Sequence, residues 1–208
     1  IYFHPVSRGG EVLLNNCLKR AKQLYNEGYE FKLHPHDFIP FFEETVTIEQ
    51  YVELDEAVVT YYLEKWTKED DAILSDLASR FINRDLFKYI PFDGSIITIS
   101  ELQELFEAGG INPDYYFVSE AFSDLPYDYD RPGSNRKPIH LLRQDGTIRE
   151  ISNQSLVIHS ITGINRQDYK LYYPREMNAK IKDKTIREAI ENLIKELNKT
   201  WLNLLSLN

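Results

Sequence analysis

The helical spacing of apolar residues in the first half of the chain limits its possible folds more than any other feature. After Ser7, apolar residues recur at steps of three and four, which predicts a helix with one buried face that ends at Gly28. Thr47 followed by Gln50 is a capping-box pattern and predicts a second helix running on through Leu63. A third helix is expected to begin between residues 67 and 70 and to include Phe81.

The second half has a different pattern. Ser100 and Gln103 predict the start of a brief helix, and four runs rich in β-forming residues follow: DYYFVSEAF, KPIHLLR, TIREIS and QDYKLYY. Asp145-Gly146 between the second and third runs predicts a hairpin. A long helix with apolar residues from Ile186 to Leu205 closes the chain. We therefore expect an α+β fold, with a mainly helical N-terminal half at 1–94 and a small antiparallel sheet with helices at 95–208.

Charge and composition exclude some classes of function. The net charge of -9 disfavours non-specific binding to nucleic acid, although it leaves room for a small cluster of cations. One cysteine permits no internal disulfide, and no apolar run approaches the ~20 residues of a membrane helix. We expect a soluble, cytoplasmic protein without membrane contact. Because the sequence opens on Ile1 and enters patterned sequence at once, we also expect it to be a piece of a longer protein.

The adjacent pair His36-Asp37 has the form of a metal-binding motif but lacks its context. Pro35 and Pro40 flank the pair and favour an extended loop, whereas metal-binding His-Asp pairs lie on a rigid helix. The other candidate ligands, His4, His140 and His159, fall on segments with no evident reason to converge. We interpret the pair as a solvated loop and predict no metal ligand in this chain.

The segment NRDLFKYI, residues 83–90, offers a different chemistry. If it is helical, Arg84 and Lys88 share one face while Leu86, Phe87 and Ile90 pack inward. An Arg fork and a Lys point charge on a rigid mount suit a small polyanion such as a phosphate group. The alternative is a pair of ordinary surface cations in weak ion pairs.

Three stretches resemble the HD-domain deoxynucleoside triphosphate triphosphohydrolases, which include bacterial dNTPases and the mammalian SAM-and-HD-domain enzyme. They are IYFHPVSRGGEVLLNNCLKRAKQLY, TIEQYVELDEAVVTYYLEKW and DLASRFINRDLFKYI, and the similarity continues weakly beyond residue 95. The resemblance implies hydrolysis of a dNTP, with dGTP the expected substrate, to deoxynucleoside and triphosphate. It also implies a divalent metal bound by an H…HD…D motif upstream of Ile1. Homo-oligomers, tetramers or dimers, with dNTP effectors bound between subunits are a further implication.

Carried over by residue, the resemblance places Tyr2 near the deoxyribose of the substrate and His4 near an effector nucleotide. It assigns Arg84 and Lys88 to the effector phosphates, and assigns no catalytic residue to this chain. Phe3 and Pro5 stand where the mammalian enzyme has polar or cationic nucleotide contacts, which predicts a different effector preference. The alternative for Tyr2 and His4 is packing in the core. Further basic candidates are Arg143 and Lys137.

Three hypotheses remain open. The chain is part of a dNTP triphosphohydrolase, or a nucleotide-sensing and assembly module without chemistry of its own, or a protein-interaction domain. The first describes the whole protein and the second this segment, so the two are compatible.

Overall fold

A computed structural model describes residues 5–92, 96–124, 137–161 and 166–206. The chain forms two compact units, one made of residues 1–119 and 171–208 and the other of residues 120–170. Helices dominate and the strands form small sheets, which confirms the α+β class and the helical first half. The sequence predicted a division between residues 94 and 95, where the type of secondary structure changes. The compact units are defined by contacts and are divided at other positions, so the predicted division stays a prediction.

Five α-helices lie within the described residues 5–92: α1 Pro5–Asn26, α2 Ile39–Phe42, α3 Ile48–Glu53, α4 Glu56–Trp66 and α5 Ala72–Ile82. The Thr47–Gln50 capping box is confirmed, with both reciprocal hydrogen bonds formed. The single helix predicted from Thr47 is wrong, because Asp55 accepts a hydrogen bond from the Val58 amide at 2.9 Å and starts α4 anew. The Asp71 carboxylate likewise caps α5, which begins later than predicted.

The core of the first unit forms where α5 packs against α1 and α4. Fully buried side chains from the three helices fill it: Leu13, Cys17, Ala21, Leu63, Trp66, Leu74, Leu77 and Ala78. Arg20 on α1 also joins the start of α5, where its guanidinium donates to both carboxylate oxygens of Asp71, at 3.1 and 2.6 Å. A bidentate pair at the edge of this apolar contact fixes the register of α1 on α5.

The remaining elements of this unit include β1 Lys88–Phe92, α6 Ile96–Ala108, α7 Pro113–Tyr116 and α9 Lys184–Ser206, with α9 packed on β1 and α6. Ser100 lies inside α6, so its predicted role as a cap is wrong. The run DYYFVSEAF begins as α7, because the Asn112 side chain caps the helix and Pro113 occupies its first turn. Strands β2 Val118–Asp124 and β5 Arg166–Tyr173 join β1 in the order β1-β5-β2.

The second unit contains the predicted hairpin. Strands β3 His140–Leu142 and β4 Ile148–Glu150 pair antiparallel, with Leu141 opposite Arg149. Gly146 adopts a φ of 80°, a left-handed conformation that glycine takes without steric cost. Helix α8 follows at Leu156–Ile161. The Asp-Gly signal therefore predicted this turn correctly.

Among the described helices, none combines the length and apolar character needed to cross a membrane.

Candidate anion-binding site

The site begins at the C-terminal end of α5. A helix over NRDLFKYI is one of the expectations from the sequence, and that expectation is wrong. The Arg84 amide donates to the Phe81 carbonyl at 3.2 Å and the Asp85 amide donates to the Arg80 carbonyl at 2.8 Å. These two bonds form a Schellman cap, with Arg84 as the left-handed residue. Its φ is 56°. The cap stops the helix before Asp85, and the chain continues into β1.

The segment after the cap is a strand for reasons that the sequence contains. Ile90 and Phe92 are buried at two-residue spacing, as expected for a strand with one inward face. Pro91 disfavours a helical conformation at Ile90. Lys88 is the first residue of β1, so Arg84 and Lys88 do not share a helical face.

The conformation of Arg84 carries information about function. Left-handed backbone costs a residue with a β-carbon about 1–2 kcal/mol, and this position in the cap is usually glycine. An arginine here forgoes that stability, and Arg84 is exposed, so the side chain does not offset the cost by burial. Backbone strain of this kind is often retained at functional sites, and at Arg84 it coincides with a position in a cleft.

Arg84 and Lys88 line the same cleft of about 560 Å³, although they do so from a cap and a strand. Four parts of the chain line the cleft: helix α1, the segment from the cap through β1, Arg175, and helix α9. The lining residues are Val6, Arg84, Leu86, Phe87, Lys88, Tyr89, Ile90, Pro91, Arg175 and Asn198. Arg175 contributes a third cation. No carboxylate occurs among these described lining residues, in a chain whose net charge is -9.

The cations of the cleft are available to a ligand. Arg84, Lys88 and Arg175 are exposed, and none of them forms an ion pair with another residue of the described ranges. Burial raises the pKa of Tyr173, and the neighbouring Arg175 opposes that rise through a hydrogen bond and its charge. Three exposed cations that form no ion pair within the described ranges can attract an anion into the cleft.

A buried cation, Arg80, is paired with residues that adjoin two of the cleft cations. Arg80 is 5% exposed and forms ion pairs with Asp76 at 2.6 Å, with Asp85 at 3.2 Å and with Glu176. Burial alone would lower the pKa of Arg80, but its hydrogen bonds to Asp76 and Glu176 raise it. Arg80 is therefore a permanently charged group shared by three carboxylates.

The other predicted site residues have different outcomes. Tyr2 and His4 lie outside the described residues. Arg143 and Lys137 belong to the second compact unit, and their suggested phosphate contact stays a prediction. Arg175 was not predicted, because 86 residues separate it from Lys88 and no local motif marks it; only the tertiary structure brings it to the cleft.

The extended conformation expected for His36-Asp37 is wrong, because the pair lies on a short 3-10 helix, His36–Phe38, although both residues are exposed as predicted. The Asp37 carboxylate accepts a hydrogen bond from the Tyr62 hydroxyl at 2.8 Å. In the part of the chain that the structure describes, no three His, Cys, Asp or Glu side chains come together as metal ligands would.

Comparison with known proteins gives two relevant similarities, while no family model matches the chain. Over 181 residues it is 51% identical to the uncharacterised protein YwfO of Bacillus subtilis (strain 168), a match that covers 85% of this chain and 42% of YwfO. Its fold is similar to that of a phosphohydrolase from Bacteroides thetaiotaomicron, with a TM-score of 0.63 and 25% identity, over 83% of this chain and 46% of that protein. The chain thus spans less than half of either relative, and its fold is consistent with part of a phosphohydrolase.

Proposed function

We propose that this chain is part of a metal-dependent HD-family phosphohydrolase that hydrolyses a dNTP, with dGTP the expected substrate, to deoxynucleoside and triphosphate. Within that enzyme the chain contributes the edge of the substrate pocket, an effector-nucleotide site and contacts between subunits. Supporting this are the resemblance of three stretches to the dNTP triphosphohydrolases and the fold shared with a phosphohydrolase. An HD motif upstream of this chain would hold the metal, which would supply an activated water for attack on phosphorus.

One observation carries the effector part of the proposal: Arg84, Lys88 and Arg175 line one cleft that has no described carboxylate in its lining. Guanidinium groups bind two phosphate oxygens at once, and an ammonium adds a compact charge. A nucleotide triphosphate matches this arrangement, because it concentrates negative charge at one end. The apolar part of the lining, which includes Leu86 and the half-buried Tyr89, suits the base or sugar at the other end.

The same cleft also fits a nucleotide-sensing module without chemistry of its own. That alternative assigns nucleotide binding to this chain and no chemical step. Both functions require nucleotide binding at Arg84 and Lys88, and they differ in whether the full-length protein releases triphosphate. The two can therefore be separated by one activity assay.

The test uses the full-length protein with dGTP and a divalent metal. Wild type is expected to release triphosphate, and the double variant R84A/K88A is expected to lose nucleotide activation. Its affinity for inorganic triphosphate, measured by calorimetry, should fall about tenfold or more, since each charge-assisted hydrogen bond contributes about 1.5–3 kcal/mol.

The matched control is K180A/K182A, which removes the same charge from two exposed lysines that do not line the cleft. Its triphosphate affinity should stay close to that of wild type. Equal losses in the two double variants would show that only net charge matters and would refute the site. Binding without release of triphosphate by wild type would favour the sensing module over the enzyme.

A further inference from the structure

We propose that Arg80 is a positioning residue for the anion-binding cleft. One buried guanidinium holds Asp85, the neighbour of Arg84, and Glu176, the neighbour of Arg175. Arg80 would thereby fix two of the three cleft cations in relation to one another. This inference rests on the proposed function of the cleft as a phosphate site.

The geometry places Arg80 at the junction of both cation-bearing segments. A single terminal nitrogen, Nη1, donates to the Asp85 carboxylate at 3.2 Å and to the Glu176 carboxylate, while Nε donates to Asp76 at 2.6 Å. The main chain of Arg80 adds a second hold on the cap, because its carbonyl accepts the Asp85 amide at 2.8 Å. Residues 85 and 176, far apart in sequence, are thus held by the same group.

Fixing these two segments lowers the cost of binding. A ligand that must order flexible, cationic loops loses affinity to the entropy of that ordering, whereas cations on pre-positioned segments avoid much of the loss. The side chains of Asp85 and Glu176 are 58% and 48% exposed, so burial alone does not hold either of them in place. Arg80 itself is only 5% exposed, so the packing around its side chain holds the guanidinium in place.

An ordinary structural role is the competing explanation. Arg80 lies in the last turn of α5, where a cation interacts favourably with the helix dipole, and buried ion pairs are common without any function. The two explanations differ in which carboxylate matters for ligand binding. If the role of Arg80 is only structural, replacing Asp76 should affect triphosphate binding as much as replacing Asp85 or Glu176. If Arg80 positions the cleft, only the replacements of Asp85 and Glu176, which neighbour cleft cations, should affect binding.

The experiment compares D85N, E176Q and the control D76N in the full-length protein, with inorganic triphosphate as the probe in calorimetry. Electrostatics alone would strengthen anion binding in D85N and E176Q, because each removes a negative charge close to the cleft. Positioning predicts the opposite sign: triphosphate binding should weaken about three- to tenfold in both variants. D76N should lower the melting temperature and leave triphosphate affinity within about twofold of wild type.

Two outcomes would overturn the inference. Stronger or unchanged binding in D85N and E176Q would show that Arg80 does not position the cleft. An equal loss in D76N would assign the effect to general stability. Both results leave the cleft itself intact if R84A/K88A still loses triphosphate binding, whereas unchanged binding in R84A/K88A would refute the proposed function. The failure of the Arg80 inference is thus distinguishable from the failure of the proposed function of the cleft.

Discussion

Replacing Arg84 by glycine should make this protein more stable and at the same time weaken its binding of triphosphate. Arg84 has a φ of 56° at the cap of α5, which costs a residue with a β-carbon about 1–2 kcal/mol. Glycine removes that cost, but it also gives the unfolded chain more conformational freedom. That freedom lowers the stability of the folded state by about 0.5–1 kcal/mol. Arg84 has no ion pair with another described residue whose loss would add to the balance. The net gain is about 0.5–1 kcal/mol.

Such a gain raises the melting temperature by about 1–4 °C for a unit of about 200 residues, and by less in a longer protein. Scanning calorimetry on the full-length protein measures the melting temperature, and isothermal titration with inorganic triphosphate measures binding. We expect R84G to melt higher and to bind triphosphate about threefold to tenfold more weakly, since one of three cations is lost. A gain in stability combined with a loss of binding is the signature of strain retained for function.

Glu44 supplies a matched control, because it is the other non-glycine residue with positive φ in the described ranges, at 60°. It also ends a helix, since the Thr45 amide donates to the Pro40 carbonyl at 2.9 Å. Its exposed ion pair with Lys22 contributes little. E44G should therefore gain stability without any change in triphosphate affinity. The reasoning would be refuted by a loss of stability in R84G, or by equal binding in R84G and wild type.

Two further predictions concern stability. G9A should be less stable than G10A in thermal melts. A β-carbon at Gly9 would lie 3.0 Å from the Phe87 carbonyl oxygen, whereas one at Gly10 would meet nothing within 4 Å. Equal melting temperatures of the two variants would contradict this prediction. Burial raises the pKa of Asp71, but hydrogen bonds from Arg20 and the α5 amides outweigh it and leave this pKa lowered. The stability difference between wild type and D71N, measured by urea unfolding, should therefore be full at neutral pH and shrink as pH falls below about 4, through the lowered pKa; a pH-independent difference would contradict it.

Local signals in the sequence predicted the elements that local interactions determine. The apolar spacing of α1, the Thr47–Gln50 capping box and the Asp145-Gly146 hairpin are all present as predicted. In each of these the local hydrogen bonds join residues only a few positions apart, so a short window of the sequence contains both partners. The errors arose where several local signals competed, as at Asp55 and Asp71, whose carboxylates cap helices later than the apolar pattern alone indicates.

The sequence by itself determined that Arg84 and Lys88 are candidate phosphate contacts in an acidic chain, and their resemblance to a known family supplied a role. Only the tertiary structure decided how they are presented, because a Schellman cap and a strand replace the expected helix. It alone brought Arg175 to the cleft and Glu176 to Arg80, across a separation of 96 residues. Such partners are selected by packing and by the need to pair a buried charge, and neither leaves a periodic signal along the chain.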